Sequence, residues 1–298
     1  MNNRFELIER DLSEGDVSTE GDMVEFRERV WRFATSGGRR DFAWRRTTDP
    51  YEILVSEIML QQTQTSRVEG YFDRFIRAFP SFEALAVASR IDLLSHWQGL
   101  GYNRRAIFLQ QCCADILEKH EGRMPAEEKI LCSLPGIGSY TAAALRVFVF
   151  DLPAVVIETN IRAVFIEEFF RNATKVSDHE LHPLVAKACD VRSPREWYYA
   201  LMDLGASLKR TNPRLTGKSR AYLRQSRFKG SVRQVRGAIV REMVRGEGGP
   251  RRIDRLFDAA RTDIGELERE RFERALMSLV KDEFVLVAGG EVILCGDR

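Results

Sequence analysis

The segment Leu134-Pro135-Gly136-Ile137-Gly138-Ser139-Tyr140-Thr141 lies between two stretches whose apolar residues recur at helical spacing. Two glycines one residue apart permit a tight backbone hairpin, and a helix that starts right after them points its first N–H groups outward. A phosphate fits there without any basic side chain. Taken alone, two glycines between helices are more often plain turn chemistry. Glu57 is a second candidate, on a segment otherwise apolar around it. Burial would raise its pKa and make it a proton donor, whereas an isolated Glu on an amphipathic helix is normally solvated. The third feature is a charge run. Between Leu204 and Arg241 there is no acidic residue, while Lys209, Arg210, Arg214, Lys218, Arg220, Arg224, Arg227, Lys229, Arg233, Arg236 and Arg241 are basic. Such a run beside acidic segments is electrostatically costly unless a polyanion neutralises it, and it favours contact with nucleic acid. The formal net charge of +2 by itself argues for nothing.

These residues need a scaffold. The length of 298 residues suggests two or three compact units, and 44% hydrophobic with 30% charged residues describes a soluble, globular chain. No stretch approaches the roughly 18 apolar residues of a membrane span. Residues 1–22 read as an acidic, flexible tail without the basic start and apolar core of a signal peptide, so a cytoplasmic, nucleoid-associated protein is expected. Cys112, Cys113, Cys132, Cys189 and Cys295 form no C-x-x-C pair and read as buried thiols in a reducing compartment.

Helical patterns cover 23–36, 51–62, 66–78, 82–87, 90–97, 102–119, 126–132, 139–149, 160–170, 178–189 and 194–208, and strand signals are absent until residue 284. The main body is therefore all-α. From Ser231 the pattern changes: helical segments at 231–245, 252–260 and 266–281 precede a β-hairpin, 283–287 and 291–294, around Gly289-Gly290. Three helices and a two-stranded wing outline a winged-helix-like module. Such modules bind DNA or protein, or serve only as a packing appendage.

The string at 134–141 resembles the helix-hairpin-helix of base-excision DNA glycosylases, and other segments agree in order and spacing. Ser56-Glu57-Ile58-Met59-Leu60-Gln61-Gln62-Thr63-Gln64 looks like the catalytic-acid helix and following loop of that superfamily's adenine-specific branch. Trp97-Gln98-Gly99-Leu100-Gly101-Tyr102 looks like its DNA-intercalating loop, and Ala200-Leu201-Met202-Asp203-Leu204-Gly205-Ala206 resembles the helix before its iron–sulfur loop. The resemblance covers residues 24–230. It implies an all-α, two-lobed helix-hairpin-helix DNA glycosylase fold with a C-terminal winged-helix-like module: an acidic tail 1–22, one lobe from 23–50 and 157–230, a six-helix lobe 51–156, and the module 231–298.

The resemblance also implies roles. Breaking the bond between a ring nitrogen and a sugar leaves charge on both fragments, and two carboxyl groups can manage it, one protonated towards the base and one ionised towards the oxocarbenium-like sugar. Glu57 is the implied acid. The family's second carboxylate is an Asp in a D-x-N pattern; here Val156-Ile157-Glu158-Thr159-Asn160 puts Glu158 in that place, with Asn160 orienting it, although a Glu at a helix start also complements the dipole. Ala163 stands where Arg is common. Tyr140 replaces the lysine with which relatives resembling endonuclease III form a Schiff base, which implies monofunctional chemistry. Gln61, Gln62, Gly101 and Tyr102 occupy the places that fill and wedge the duplex once a nucleotide is extruded. Gly136, Gly138, Ser139, Thr141, Arg104, Lys209, Arg210, Arg214 and Lys218 complete the implied DNA contacts.

Two departures stand out. The family's cluster loop reads C-x6-C-x2-C-x5-C, and Lys209, Thr216, Ser219 and Gln225 stand in those places, so no iron–sulfur cluster and no other cofactor is expected. The family's larger C-terminal domain is replaced by the short winged-helix-like unit. The expected function is monofunctional, metal-free excision of a mispaired base, adenine first, from double-stranded DNA by a monomer. The alternatives are a mismatch uracil or thymine glycosylase and a non-catalytic binder of mismatched or damaged DNA.

Overall fold

The computed structural model describes residues 20–38, 40–223 and 227–295. In chain order its elements are α1 (Glu20–Phe33), α2 (Pro50–Leu60), α3 (Thr65–Ala78), α4 (Phe82–Ala86), α5 (Arg90–Trp97), α6 (Arg104–His120), α7 (Glu128–Ser133), α8 (Ser139–Phe150), α9 (Thr159–Phe169), α10 (Asp178–Ala188), α11 (Pro194–Thr211), α12 (Leu215–Lys218), α13 (Val232–Arg245), β1 (Arg251–Arg252), α14 (Ile253–Ile264), α15 (Arg269–Lys281), β2 (Val285–Ala288) and β3 (Glu291–Leu294). The contacts divide the chain into one unit of residues up to Arg40 with Asp151–Leu223, and a second of Asp41–Phe150 with Arg224–Arg298. No helix among the described residues is long and apolar enough to cross a membrane.

In the second unit, α2 starts where it does because Pro50 needs no N–H partner and Asp49 Oδ1 accepts the N–H groups of Tyr51 and Glu52, at 2.8 and 3.2 Å. Residues 51–59 of α2 are all buried except Glu52, as expected of a helix apolar on every side. It packs on α3, α6 and α8. Phe75 of α3 meets Trp97, the last residue of α5, edge to face at 5.6 Å. The C-terminal elements belong to this unit: α13 packs on α14, α15 and α5, and β3 pairs antiparallel with β2 on one side and β1 on the other.

In the first unit, α9 and α11 form the main contact, capped by an aromatic cluster in which Phe26 lies 5.2 Å from Phe165 and 6.0 Å from Trp197. Gly205 is what lets the two helices meet, since a Cβ there would stand 2.1 Å from the carbonyl oxygen of Asn160.

The structure corrects four expectations. Glu20 to Asp22, counted with the acidic tail, form the first turn of α1, while residues 1–19 lie outside the described residues. The wing has a third strand, β1, which takes Arg252 from the predicted helix; α14 begins at Ile253. A short helix, α12, occupies the segment expected as a loop. Cys132 is exposed, unlike the buried Cys112, Cys113 and Cys189.

Candidate active site and nucleic-acid interface

Glu57 sits in the middle of α2 and is only 8% exposed. Beyond the helix, Gln61 leaves the helical conformation, with φ −56° and ψ 117°, and Gln62 is left-handed, with φ 57°. The Gln61 amide donates to the Thr141 hydroxyl at 3.2 Å, tying this loop to the first turn of α8. Arg105, which the sequence reading passed over, organises the rest. It is buried, and its Nη1 donates to the carbonyls of Ile58 and Met59 at 2.8 and 2.9 Å and to that of Gln61. Its Nη2 reaches Thr63 Oγ1 at 3.0 Å and the carbonyls of Leu100 and Gly101 at 3.3 and 3.1 Å. One guanidinium thus fixes the C-terminal end of the helix bearing Glu57 to the loop ending in Tyr102. Burial lowers its pKa to about 10, which leaves it cationic at neutral pH.

The hairpin has the geometry its glycines suggested, for different reasons at each. Gly136 is left-handed, φ 78°, and a Cβ on it would press within 2.8 Å of Phe108. At Gly138 a Cβ would meet nothing within 4 Å. Its carbonyl receives the Ala142 N–H at 2.9 Å, so α8 opens immediately after it, beside open space at the end of a helix where an anion is favoured. Ser139 and Tyr140 are exposed on that first turn, whereas Thr141 is buried.

The loop after α5 turns sharply. The Trp97 indole donates to Gly101 O at 3.2 Å, and Gly101 and Tyr102 are both left-handed, with φ 73° and 47°. Tyr102 is 42% exposed. Arg233, another residue not singled out as a site, donates to its hydroxyl at 2.6 Å. Arg104 lies over the Phe108 ring and 3.5 Å from Asp282. The Arg233 contact was not legible because its partner is remote in sequence, Tyr102 and Arg233 being separated by 131 positions. Only the shared positive charge of Arg233 marked it.

In the first unit, Glu158 caps α9. Its Oε1 accepts the backbone N–H groups of Asn160 and Ile161 at 2.8 and 2.9 Å. Its Oε2 accepts from the Thr159 hydroxyl at 3.1 Å and the Asn160 side-chain amide at 3.2 Å. The extra methylene, relative to an Asp, is taken up by folding the side chain back on its own helix. Lys209 donates to Thr159 Oγ1 at 3.2 Å. Partial burial lowers its pKa, with Arg40 acting in the same direction and the Glu158 carboxylate opposing. Arg210 and Arg214 are exposed, and Lys218 donates to the Arg171 carbonyl.

Lys209, Thr216 and Ser219 stand in three of the places where the resemblance puts cluster cysteines, and Gln225 lies outside the described residues. An ammonium and two hydroxyls are no thiolate set, so these residues do not fit an iron–sulfur cluster. The segment is held otherwise. Leu215 is fully buried, Val176 N–H donates to Lys218 O and Arg220 N–H to Val176 O, each at 2.8 Å, and Lys175 donates to Gly217 O at 2.8 Å.

Comparison with known proteins agrees with this geometry. Residues 55–190 match the model of the HhH-GPD superfamily base excision DNA repair proteins. A protein of Mycolicibacterium smegmatis named adenine DNA glycosylase is 32% identical over 87% of this chain and 92% of its own length. One of the same name from Mycobacterium tuberculosis is 33% identical over 83% and 86%. The solved structure of a thermostable thymine-DNA glycosylase superposes with a TM-score of 0.56 at 26% identity, over 64% of this chain and 88% of that one. A match that runs through the α2 carboxyl, the hairpin and the helices beyond makes the chain a member of the HhH-GPD superfamily of base-excision DNA repair proteins, and within it a DNA glycosylase.

Proposed function

We propose that the chain removes adenine from a mispair in double-stranded DNA as a monofunctional, metal-free monomer. Alignment over most of both chains with relatives named adenine DNA glycosylase is the observation that carries the choice of base. Glu57 delivers a proton to the departing base as the bond between its nitrogen and C1′ breaks and the bonding electrons leave with the base. Glu158, oriented by Asn160, offers its negative charge to the electron-poor sugar; water adds at C1′ and gives up a proton to solvent. Tyr140 offers no amine, so no imine to the sugar forms there. The hairpin from Gly136 to Thr141 and Arg104, Lys209, Arg210, Arg214 and Lys218 supply the contacts to DNA, while Gln61, Gln62, Gly101 and Tyr102 fill and wedge the gap left by the extruded nucleotide.

A second reading, mismatch thymine or uracil excision, is favoured by the likeness to the thymine-DNA glycosylase structure. Single-turnover excision on duplexes with A opposite G, A opposite oxidised G, T opposite G and U opposite G separates the two. Release of adenine at the fastest rate supports the proposal; faster release of thymine or uracil replaces it, and tight binding without release on any duplex leaves a binding protein.

A further inference from the structure

The C-terminal elements have no place in the chemistry above, yet one of their side chains ends on Tyr102. Arg233, in the first turn of α13, donates to the Tyr102 hydroxyl at 2.6 Å, and its guanidinium lies 5.7 Å from the ring centroid. Arg105 lies at 5.6 Å from the same ring. Tyr102 has φ 47°, a left-handed conformation that strains a non-glycine residue and persists only where its surroundings hold it. Nor is α13 itself loose. Arg236 pairs with Asp282 at 2.7 Å, the same carboxyl that Arg104 approaches at 3.5 Å, and α13 packs on α5, the helix that leads into the Tyr102 loop. At Gly248, just past α13, a Cβ would stand 2.9 Å from Ile91 of α5.

We propose that Arg233 is a positioning residue for base extrusion: it holds the Tyr102 ring in the left-handed, exposed arrangement from which that ring enters the duplex, and so makes the C-terminal module a working part of the flipping apparatus. A charge-assisted hydrogen bond and a cation over the ring both act on Tyr102. The inference rests on the reading of Tyr102 as the wedge.

The experiment is a double-mutant cycle with the full chain on a duplex carrying A opposite G and 2-aminopurine beside the target adenine. Fluorescence reports extrusion, and single-turnover excision reports rate. Tyr102→Ala alone tests the wedge reading and should reduce both signals strongly. Arg233→Met should slow extrusion and excision about tenfold when Tyr102 is present and have no further effect in Tyr102→Ala, with Arg233→Lys recovering part of the loss. An equal loss in both backgrounds means that Arg233 acts on the DNA directly and overturns the proposal. Unchanged extrusion in Tyr102→Ala removes the wedge reading and the proposal with it, while excision of adenine opposite G stands as a separate result.

Discussion

Glu158 does two jobs in this reading, capping α9 through one oxygen and keeping the other among Thr159 and Asn160. Glu158→Gln keeps an oxygen for the backbone N–H groups but loses the charge, so base release should fall about 100-fold while the melting temperature changes little. Glu158→Asp restores the residue usual in the family. Because the surrounding donors are set for the longer side chain, it should slow release as well, by a smaller factor. Undiminished single-turnover rates in both variants would take Glu158 out of the chemistry. For Glu57, replacement by Gln should abolish release and leave binding to the mismatched duplex nearly intact, since an amide keeps the shape without the proton; a rate above about a tenth of the parent, ~1.4 kcal/mol of barrier, points to a different acid. Glu57 and Glu158 could be named as candidates from the sequence because each stands in a short local motif. Arg105 was not. Its six hydrogen-bond acceptors come from two loops and a helix end, and nothing in its neighbouring residues announces them.

The helices of the body were legible from apolar spacing and from caps such as Asp49-Pro50, since both signals are local. β1 was hidden because two arginines carry no alternation, and they become a strand only by pairing with Val292 and Glu291 far along the chain. Packing between helices was equally invisible, and here it is consequential. In Gly205→Ala the new methyl group has to displace the Asn160 carbonyl, which lies in the first turn of the helix that Glu158 caps. The expected cost is about 1–3 kcal/mol of stability in urea titrations, with a loss of excision rate at temperatures where the variant is still folded. An unaltered variant would show that α9 and α11 can part without cost. Arg105→Met should lower stability by about 3 kcal/mol or more, because it leaves several backbone carbonyls without their donor.

At the scale of the molecule, basic charge is spread over the 204–241 run while the net charge is only +2. Affinity for DNA should therefore fall steeply with salt. Arg214→Gln, at an exposed guanidinium, should lower the slope of log affinity against log salt by about 1. Lys218→Gln should change it less, because that ammonium already faces the Arg171 carbonyl. Equal effects would mean that Lys218 leaves its carbonyl for a phosphate. The buried Leu215 and the main-chain pairing of Val176 with its neighbours across the chain, Lys218 and Arg220, carry a further implication. A segment fastened by apolar burial and peptide groups should not lose its hold to a chelator. Purified protein should contain no iron, and its melting temperature should be the same before and after chelator treatment. A cell short of iron would then keep this segment in place.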